Sequence, residues 1–251
     1  MKIYFIGAGP GDPELLTIKA KKIIETADIL IYAGSLINKD IIKLAKKEAR
    51  SYDSSGMNLE EVLRIIKKAI STDKIIARIH SGDPSLYGAI QEQMDWCEKQ
   101  GIAYSVIPGV SSFQAAAASL KQELTLPGVS QTVILTRFSG RTKVPAKEDL
   151  KKLADSRSTM VIFLSIDRIA DVIKKIRESY GSNTPVAVIE KASFPEERKI
   201  MGTVKDIVEK VKKAGMTRQA LIIIGDILKK DYQRSKLYDK GFEHMFRKRK
   251  K

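Results

Sequence analysis

The alternation of apolar and polar positions divides the chain into short β-rich runs and longer stretches with helical spacing. Residues 3–6 are an apolar run that stops at Gly7, the mark of a buried strand. A glycine-rich loop leads from Gly7 to Pro13, and beyond it Leu15, Leu16, Ile18, Ala20, Ile23 and Ile24 recur at helical intervals. The same alternation then places strands at 29–32, 74–79 and 104–107, and helices at 37–45, 59–70 and 86–98. Strands that alternate with helices pair in parallel through crossovers, so the pattern predicts a mostly parallel sheet covered on both faces. Residues 111–120 form an alanine-rich helix whose small side chains permit close packing.

Leu126-Pro127-Gly128 is a turn signal and a natural boundary. After it, strands are expected at 132–136, 159–164, 186–189 and 220–224, and helices at 148–154, 166–179 and 204–213. Residues 198–203 read as an additional strand, antiparallel to the run ending at Ile189. The expected organisation is an α/β domain over 1–120, a second α/β domain over 121–231, and a basic tail over 232–251.

Composition narrows the function. With 43% hydrophobic and 30% charged residues, the chain of 251 residues is a folded protein rather than a disordered one. No apolar run approaches the roughly 18 residues of a membrane span, and the N-terminus lacks a signal-peptide pattern. A cytoplasmic protein without a membrane partner is expected. Cys97 is the single cysteine and, with Trp96, falls on a helix as a core position. With His80 and His244 the only histidines, no protein-bound metal is expected. The net charge is +15, and residues 229–251 hold ten basic and three acidic side chains. Such a surface suits a polyanionic partner, and it equally suits ion-pair networks. No basic stripe interleaved with aromatics and no known reader motif is present, which argues against a nucleic-acid partner.

The loops carry the chemistry. Gly7, Gly9 and Gly11 follow a strand and precede a helix, which invites a dinucleotide reading. Asp12 stands where that fingerprint has its third glycine, and Pro10 has no N–H to offer. A pyrophosphate cradle works by aiming N–H groups at negative oxygens. This loop therefore fits a ligand that is neutral or cationic where it meets the protein. Gly-Asp-Pro occurs at 11–13 and again at 82–84, each time between a strand and a helix. Asp at an N-cap and Pro at the first helical position explain one such copy. Two copies, with Pro108-Gly109-Val110-Ser111-Ser112 at a third strand exit, outline a pocket rim at the carboxyl edge where ligands of open α/β sheets bind. Gly82 reads as a point of close ligand approach, with a left-handed backbone as the rival reason for glycine. His80, just before this loop, reads either as a packed histidine or as a substrate contact.

Four stretches together, Gly7-Ala-Gly-Pro-Gly-Asp-Pro13, Gly82-Asp-Pro-Ser-Leu-Tyr-Gly88, Pro108–Ser112 and Gln131-Thr-Val-Ile-Leu-Thr-Arg137, resemble the tetrapyrrole methylase family over about residues 1–228. Tyr32-Ala-Gly-Ser-Leu36, Ser55-Gly-Met-Asn-Leu-Glu60, the run from His80 to Gln93 and Glu123-Leu-Thr-Leu-Pro127 resemble its branch that methylates carbon 11 of precorrin-4 or cobalt-precorrin-4 to give the corresponding precorrin-5 in cobalamin biosynthesis. The resemblance implies two α/β domains with a cofactor trough between them, S-adenosyl-L-methionine as cofactor, S-adenosyl-L-homocysteine as product, and a homodimer. It implies cofactor contacts from Pro10, Ser81, Gly82, Asp83, Leu86, Ser111, Ser112, Leu164, Ala192 and Ala220. The substrate implied is a polycarboxylate tetrapyrrole. Its acid arms give the basic body a purpose, with Arg137, Arg141 and Tyr87 as candidate contacts. Methyl transfer from a sulfonium is an in-line displacement that needs positioning more than acid–base help. No catalytic base is identified. The uroporphyrinogen methylases place an acidic residue just after the second strand, where Ala33 stands here, which separates this chain from that branch. Rival readings are a methylase of another ring carbon or of uroporphyrinogen III, a diphthine synthase, a ribosomal RNA ribose methylase and, from a different class, a basic RNA-binding protein.

Overall fold

The computed structural model describes residues 2–248 apart from 71, 141 and 230. The chain forms two compact units. The first holds the residues up to Ala116 together with Lys191–Glu197, and the second holds Ala117–Glu190 and the chain from Arg198 onward.

In the first unit the elements run β1 (Lys2–Gly7), α1 (Ile18–Thr26), β2 (Ile29–Tyr32), α2 (Lys39–Ile42), β3 (Arg50–Asp53), α3 (Leu59–Ile70), β4 (Ile75–His80), α4 (Gln91–Lys99), β5 (Tyr104–Ile107) and the start of α5 (Ser112–Leu120). The strands lie in the order β3-β2-β4-β1-β5, and every pair is parallel. Both faces are covered, as the near-continuous apolar strands require. On one face Ala20 and Ile24 of α1 and Ile41 of α2 pack against Ile6, Leu30, Ala77 and Ile79. On the other, Val62 and Ile66 of α3 and Cys97 of α4 pack against Ile3, Phe5, Ile31 and Ile76. Burial pushes the Cys97 thiol up to about 11, with Glu98 adding to it, so this cysteine is an inert core residue.

The start of α3 is set by a capping box. Asn58 Oδ1 accepts the Glu61 N–H at 2.9 Å, and Glu61 Oε2 accepts the Asn58 N–H at 2.8 Å. Two helices are shorter than their apolar spacing predicts. α2 ends at Ile42, and α4 begins at Gln91 because Tyr87 and Ala89 take left-handed φ values of 58° and 49°. β3 has no apolar periodicity, and only Tyr52 of its four residues is partly buried. It pairs on one side only, and an edge strand tolerates that polarity.

The second unit contains β6 (Val133–Arg137), α6 (Leu150–Ala154), β7 (Thr159–Phe163), α7 (Ile169–Tyr180), β8 (Pro185–Glu190), β9 (Arg198–Thr203), α8 (Ile207–Lys213) and β10 (Ala220–Ile224). Its sheet runs β6-β7-β10-β8-β9 and departs from the mostly parallel expectation. Only β6 and β7 are parallel, while β10 runs antiparallel to β7 and β8, and β9 runs antiparallel to β8 as expected. The segment between β8 and β9 is too short for the crossover of about a dozen or more residues that a parallel pair needs. Val172, Ile173 and Ile176 of α7, with Ile207 and Val211 of α8, bury one face of this sheet against Met160, Ile162, Val188, Ile222 and Ile224. Among the described residues no helix is long and apolar enough to cross a membrane.

The packing sets an order of mutational cost. Ile66 is fully buried, so Ile66→Ala is expected to cost about 2–5 kcal/mol in urea denaturation. Loss of the α3 cap in Asn58→Ala is expected to cost about 1 kcal/mol. A larger loss for Asn58→Ala than for Ile66→Ala contradicts this account.

Candidate functional site

β1, β4 and β5 are neighbours, and their carboxyl ends release the three glycine-bearing loops side by side. Pairing continues past the strand ends. The Ala8 N–H donates to the His80 carbonyl at 2.8 Å, the Gly9 N–H to the Gly82 carbonyl at 3.2 Å, and the Gly82 N–H to the Gly9 carbonyl at 2.7 Å. The third loop joins by direct backbone contact. A Cβ on Gly7 would lie 2.6 Å from the Gly109 nitrogen and 2.7 Å from the Gly82 carbonyl oxygen, and one on Gly109 would lie 2.8 Å from the Gly7 Cα. No side chain fits at either position. Gly82 differs. A Cβ there would meet the Ser111 Cα at 3.6 Å, an ordinary contact, whereas its φ of +63° is left-handed. The protein atoms leave room at Gly82, and backbone conformation is what demands glycine.

Asp83 ties the second loop to the third. Its Oδ2 accepts the Gly109 N–H at 2.9 Å, and its Oδ1 accepts the Ser85 N–H at 2.8 Å and the Ser85 hydroxyl. Burial by itself would raise its pKa, but the bonds from the Ser85 hydroxyl, the Gly109 N–H and the Ser85 N–H outweigh it and hold the carboxyl below the usual range. In the first loop Asp12 caps the turn Pro13–Leu15 through a bond from the Glu14 N–H at 2.8 Å. The Gly11 carbonyl accepts from Asn38 Nδ2 at 2.8 Å.

Lys191–Glu197 completes this side of the unit. The Asp12 N–H donates to Ser193 Oγ at 3.1 Å. The Phe194 ring lies where a Cβ on Gly11 would fall, 2.8 Å from its Cγ, so that glycine is required by the ring. Sequence reasoning missed Ser193, Phe194 and Asn38. The available signal was an aromatic residue in the turn just after a buried strand. It also missed Asp53, on the strand beside Ala33. Asp53 Oδ1 accepts the Gly34 and Ser55 N–H groups, each at 2.9 Å. The Gly34 bond first, then those from Ser55, lower its pKa, so this exposed carboxylate is a weak base at the exit of β2.

The remaining expected residues take varied positions. Pro10 is buried beside Gly9 and Gly11, Ser81 is exposed, and Leu86 is half-buried with its N–H bonded to the Asp83 carbonyl at 3.2 Å. Ser111 is buried and its N–H donates to Gln114 Oε1 at 2.8 Å, while Ser112 opens α5. Tyr87 is 44% exposed. Ala192 is buried between Lys191 and Ser193, whose φ values of 49° and 69° are left-handed. In the second unit Leu164 is 71% exposed with φ 51°, and the buried Ala220 follows Gln219 at φ 53°. Left-handed non-glycine residues cost about 1–3 kcal/mol each and gather at functional loops. Arg137 turns back on its own loop, donating to the Thr142 carbonyl at 2.9 Å and the Lys143 carbonyl at 3.1 Å. Arg141 lies outside the described residues. Among the described residues no group of three or more His, Cys, Asp or Glu side chains could hold a metal ion.

The carboxyl edge of this parallel sheet carries three fused glycine loops where open α/β sheets bind ligands, and Pro10, Asp12 and Asp83 make that edge a poor cradle for phosphate. The comparisons with known proteins give this architecture a family. Residues 2–208 match the family model of the tetrapyrrole (corrin/porphyrin) methylases, and the chain belongs to that family. It is 55% identical over 249 residues to a cobalt-precorrin-4 C(11)-methyltransferase of Methanocaldococcus jannaschii, covering 98% of this chain and 96% of the relative. The solved structure of a cobalt precorrin-4 methyltransferase superposes with a TM-score of 0.88 at 42% identity, over 90% of this chain and 95% of that one. A uroporphyrin-III C-methyl transferase from Thermus thermophilus, complexed with S-adenyl homocysteine, superposes at 0.76 with 26% identity, over 91% and 93%.

Two substitutions test the loop geometry. Gly109→Ala is expected to lower the melting temperature by several degrees, whereas Gly56→Ala, with nothing within 4 Å of its Cβ position, leaves it unchanged. Equal melting of the two variants contradicts the backbone fusion. For Asp83 the folded pKa is depressed, so the carboxylate's contribution is present above its ordinary value of about 3.9 and is lost as pH falls through the folded value. Asp83→Asn, which sets an amide N–H against a backbone N–H, is expected to melt below wild type at pH 7. That gap is expected to close below pH about 4. A gap that persists unchanged into acid contradicts the charged brace.

Proposed function

We propose that this protein is an S-adenosyl-L-methionine-dependent methyltransferase that adds a methyl group to carbon 11 of precorrin-4 or cobalt-precorrin-4 in cobalamin biosynthesis. The observation that carries the reading is the likeness, at 55% identity over 98% of the chain, to a cobalt-precorrin-4 C(11)-methyltransferase. The loops fit the cofactor. It has no phosphate and carries a cationic sulfonium, which agrees with the missing donor at Pro10 and the carboxylates of Asp12 and Asp83 nearby. Pro10, Ser81, Gly82, Asp83, Leu86, Ser111, Ser112 and Ala192 are the residues proposed to hold it in the first unit.

Bound there, the cofactor would supply a methyl on a cationic sulfur, open to in-line attack by an electron-rich ring carbon, with the neutral thioether of S-adenosyl-L-homocysteine as the leaving group. The chain's own contribution is positioning. Gly7, Gly82 and Gly109 fix the floor of the site in one backbone arrangement, and Asp83 locks the second loop against the third. The carboxylates there are committed to backbone N–H groups, so they act as charges and braces rather than as proton acceptors. The excess of basic residues suits a substrate with many acid arms. The working form is read as a cytoplasmic homodimer, in keeping with the family resemblance.

The test is incubation with methyl-labelled S-adenosyl-L-methionine and cobalt-precorrin-4, and in parallel precorrin-4, with the product examined by carbon NMR. Label at carbon 11 is the expected result. Label at another ring carbon assigns the protein to another branch, and no transfer to either tetrapyrrole overturns the reading.

A further inference from the structure

On the α3 and α4 face of the first sheet, below the same carboxyl edge, lies a polar pair that the loops leave unused. Arg78 and His80 are two residues apart on β4 and so leave the same face. Each is only 9% exposed. Arg78 Nε donates to Gln93 Oε1 at 3.1 Å, and Nη1 donates to the Ile31 carbonyl at 3.2 Å and to Ser54 Oγ at 3.1 Å. These acceptors are all neutral, and Nη2 takes no part in the bonds. Burial lowers the guanidinium to about 10, with no acidic side chain acting on it. A buried cation is normally paired, and this one has no carboxylate partner among the described residues.

His80 is its complement. The ring bonds the Gly88 backbone and lies 6.3 Å from the Phe5 ring of β1, centroid to centroid. Nε2 is closed off from solvent and has no hydrogen-bond partner. Burial first, and then the Arg78 charge, lower the imidazole to about 3. The ring is therefore neutral near pH 7. Nε2, buried and without a partner, is the ring nitrogen left available to a ligand. The two buried groups thus ask for different things at adjoining positions, an anion at Arg78 and a donor at His80.

We propose that Arg78 and His80 form a substrate subsite, in which Arg78 Nη2 takes one acid arm of the tetrapyrrole and His80 Nε2 accepts the N–H of the ring that bears it. This rests on the substrate class proposed above. A pyrrole unit with an acid side chain presents both groups within a single heterocycle. The cofactor also has a carboxylate and donor groups, so the test must separate the two sources. The Gly88 backbone that bonds the ring lies between Tyr87 and Ala89, whose φ values are left-handed.

The experiment uses the full chain and two stable probes: uroporphyrin III, an octacarboxylate tetrapyrrole followed by its fluorescence, and S-adenosylhomocysteine followed by calorimetry. His80→Asn keeps an amide able to donate to Gly88 and leaves nothing at the Nε2 position, whereas His80→Gln returns an amide oxygen near it. Uroporphyrin III is expected to bind His80→Asn about tenfold more weakly, the equivalent of one buried hydrogen bond, and His80→Gln to recover most of the loss. Affinity for S-adenosylhomocysteine is expected to stay at the wild-type value in both variants, and any fall in melting of His80→Asn to be recovered in His80→Gln. Arg78→Lys, which keeps the charge without the planar fork, is expected to weaken uroporphyrin III alone. Unchanged uroporphyrin III binding by His80→Asn overturns the proposal. So does a parallel loss of S-adenosylhomocysteine, which would move the pair to the cofactor, or a fall in melting without rescue by Gln, which would make it structural. Should wild type fail to methylate precorrin-4, the function proposed above fails, while the titration still decides the subsite.

Discussion

The contact on which the first unit depends is the meeting of three backbones at Gly7, Gly82 and Gly109. Each terminates or follows a different strand of one parallel sheet, and they come together at distances that exclude a Cβ at Gly7 and Gly109. Parallel pairing makes this possible because β1, β4 and β5 all end on the same edge. The hydrogen bonds between Gly9 and Gly82 extend the pairing of the sheet into the loops, which ties the loops to the strands beneath them and restrains their movement. Asp83 then adds an ionised brace, and the Phe194 ring occupies the space that Gly11 leaves open.

That rigidity bears on the chemistry. A displacement at a methyl group is governed by distance and alignment, so a site that merely fixes its ligands supplies much of what the reaction requires. The carboxylates at this edge are consistent with such a role. Asp12, Asp53 and Asp83 each accept backbone N–H groups, and the pKa values of Asp53 and Asp83 lie below the ordinary range. All three hold loops and set charge, and Asp53 and Asp83 are poor proton acceptors.

Much of the first sheet was legible in the sequence because its strands are short, apolar and bounded by glycine or proline. The spacing of Ile18, Ala20, Ile23 and Ile24 likewise marked α1. The edge strand Arg50–Asp53 was not legible, since one-sided pairing leaves no apolar signature. The delayed start of α4 was hidden for a different reason. Leu86 and Ile90 keep helical spacing while Tyr87 and Ala89 adopt a backbone that no helix contains. The antiparallel course of β10 depends on which neighbours it finds, and apolar runs carry no direction. At the site, glycine, proline and aspartate positions announced the loops. The packing of Phe194 on Gly11 was invisible because the two are brought together only by the fold. Arg137, an attractive basic loop residue in the sequence, spends its guanidinium on the carbonyls of its own loop.

The central claim is that the fused glycine loops are where the cofactor binds. Hydrogen–deuterium exchange with and without S-adenosylhomocysteine tests it most directly. The account predicts slowed exchange in peptides covering 7–13, 81–88, 109–113 and 191–195, with the outer strand β3 unaffected. Binding that leaves these four segments unchanged, or protects β3 and α2 instead, would contradict it.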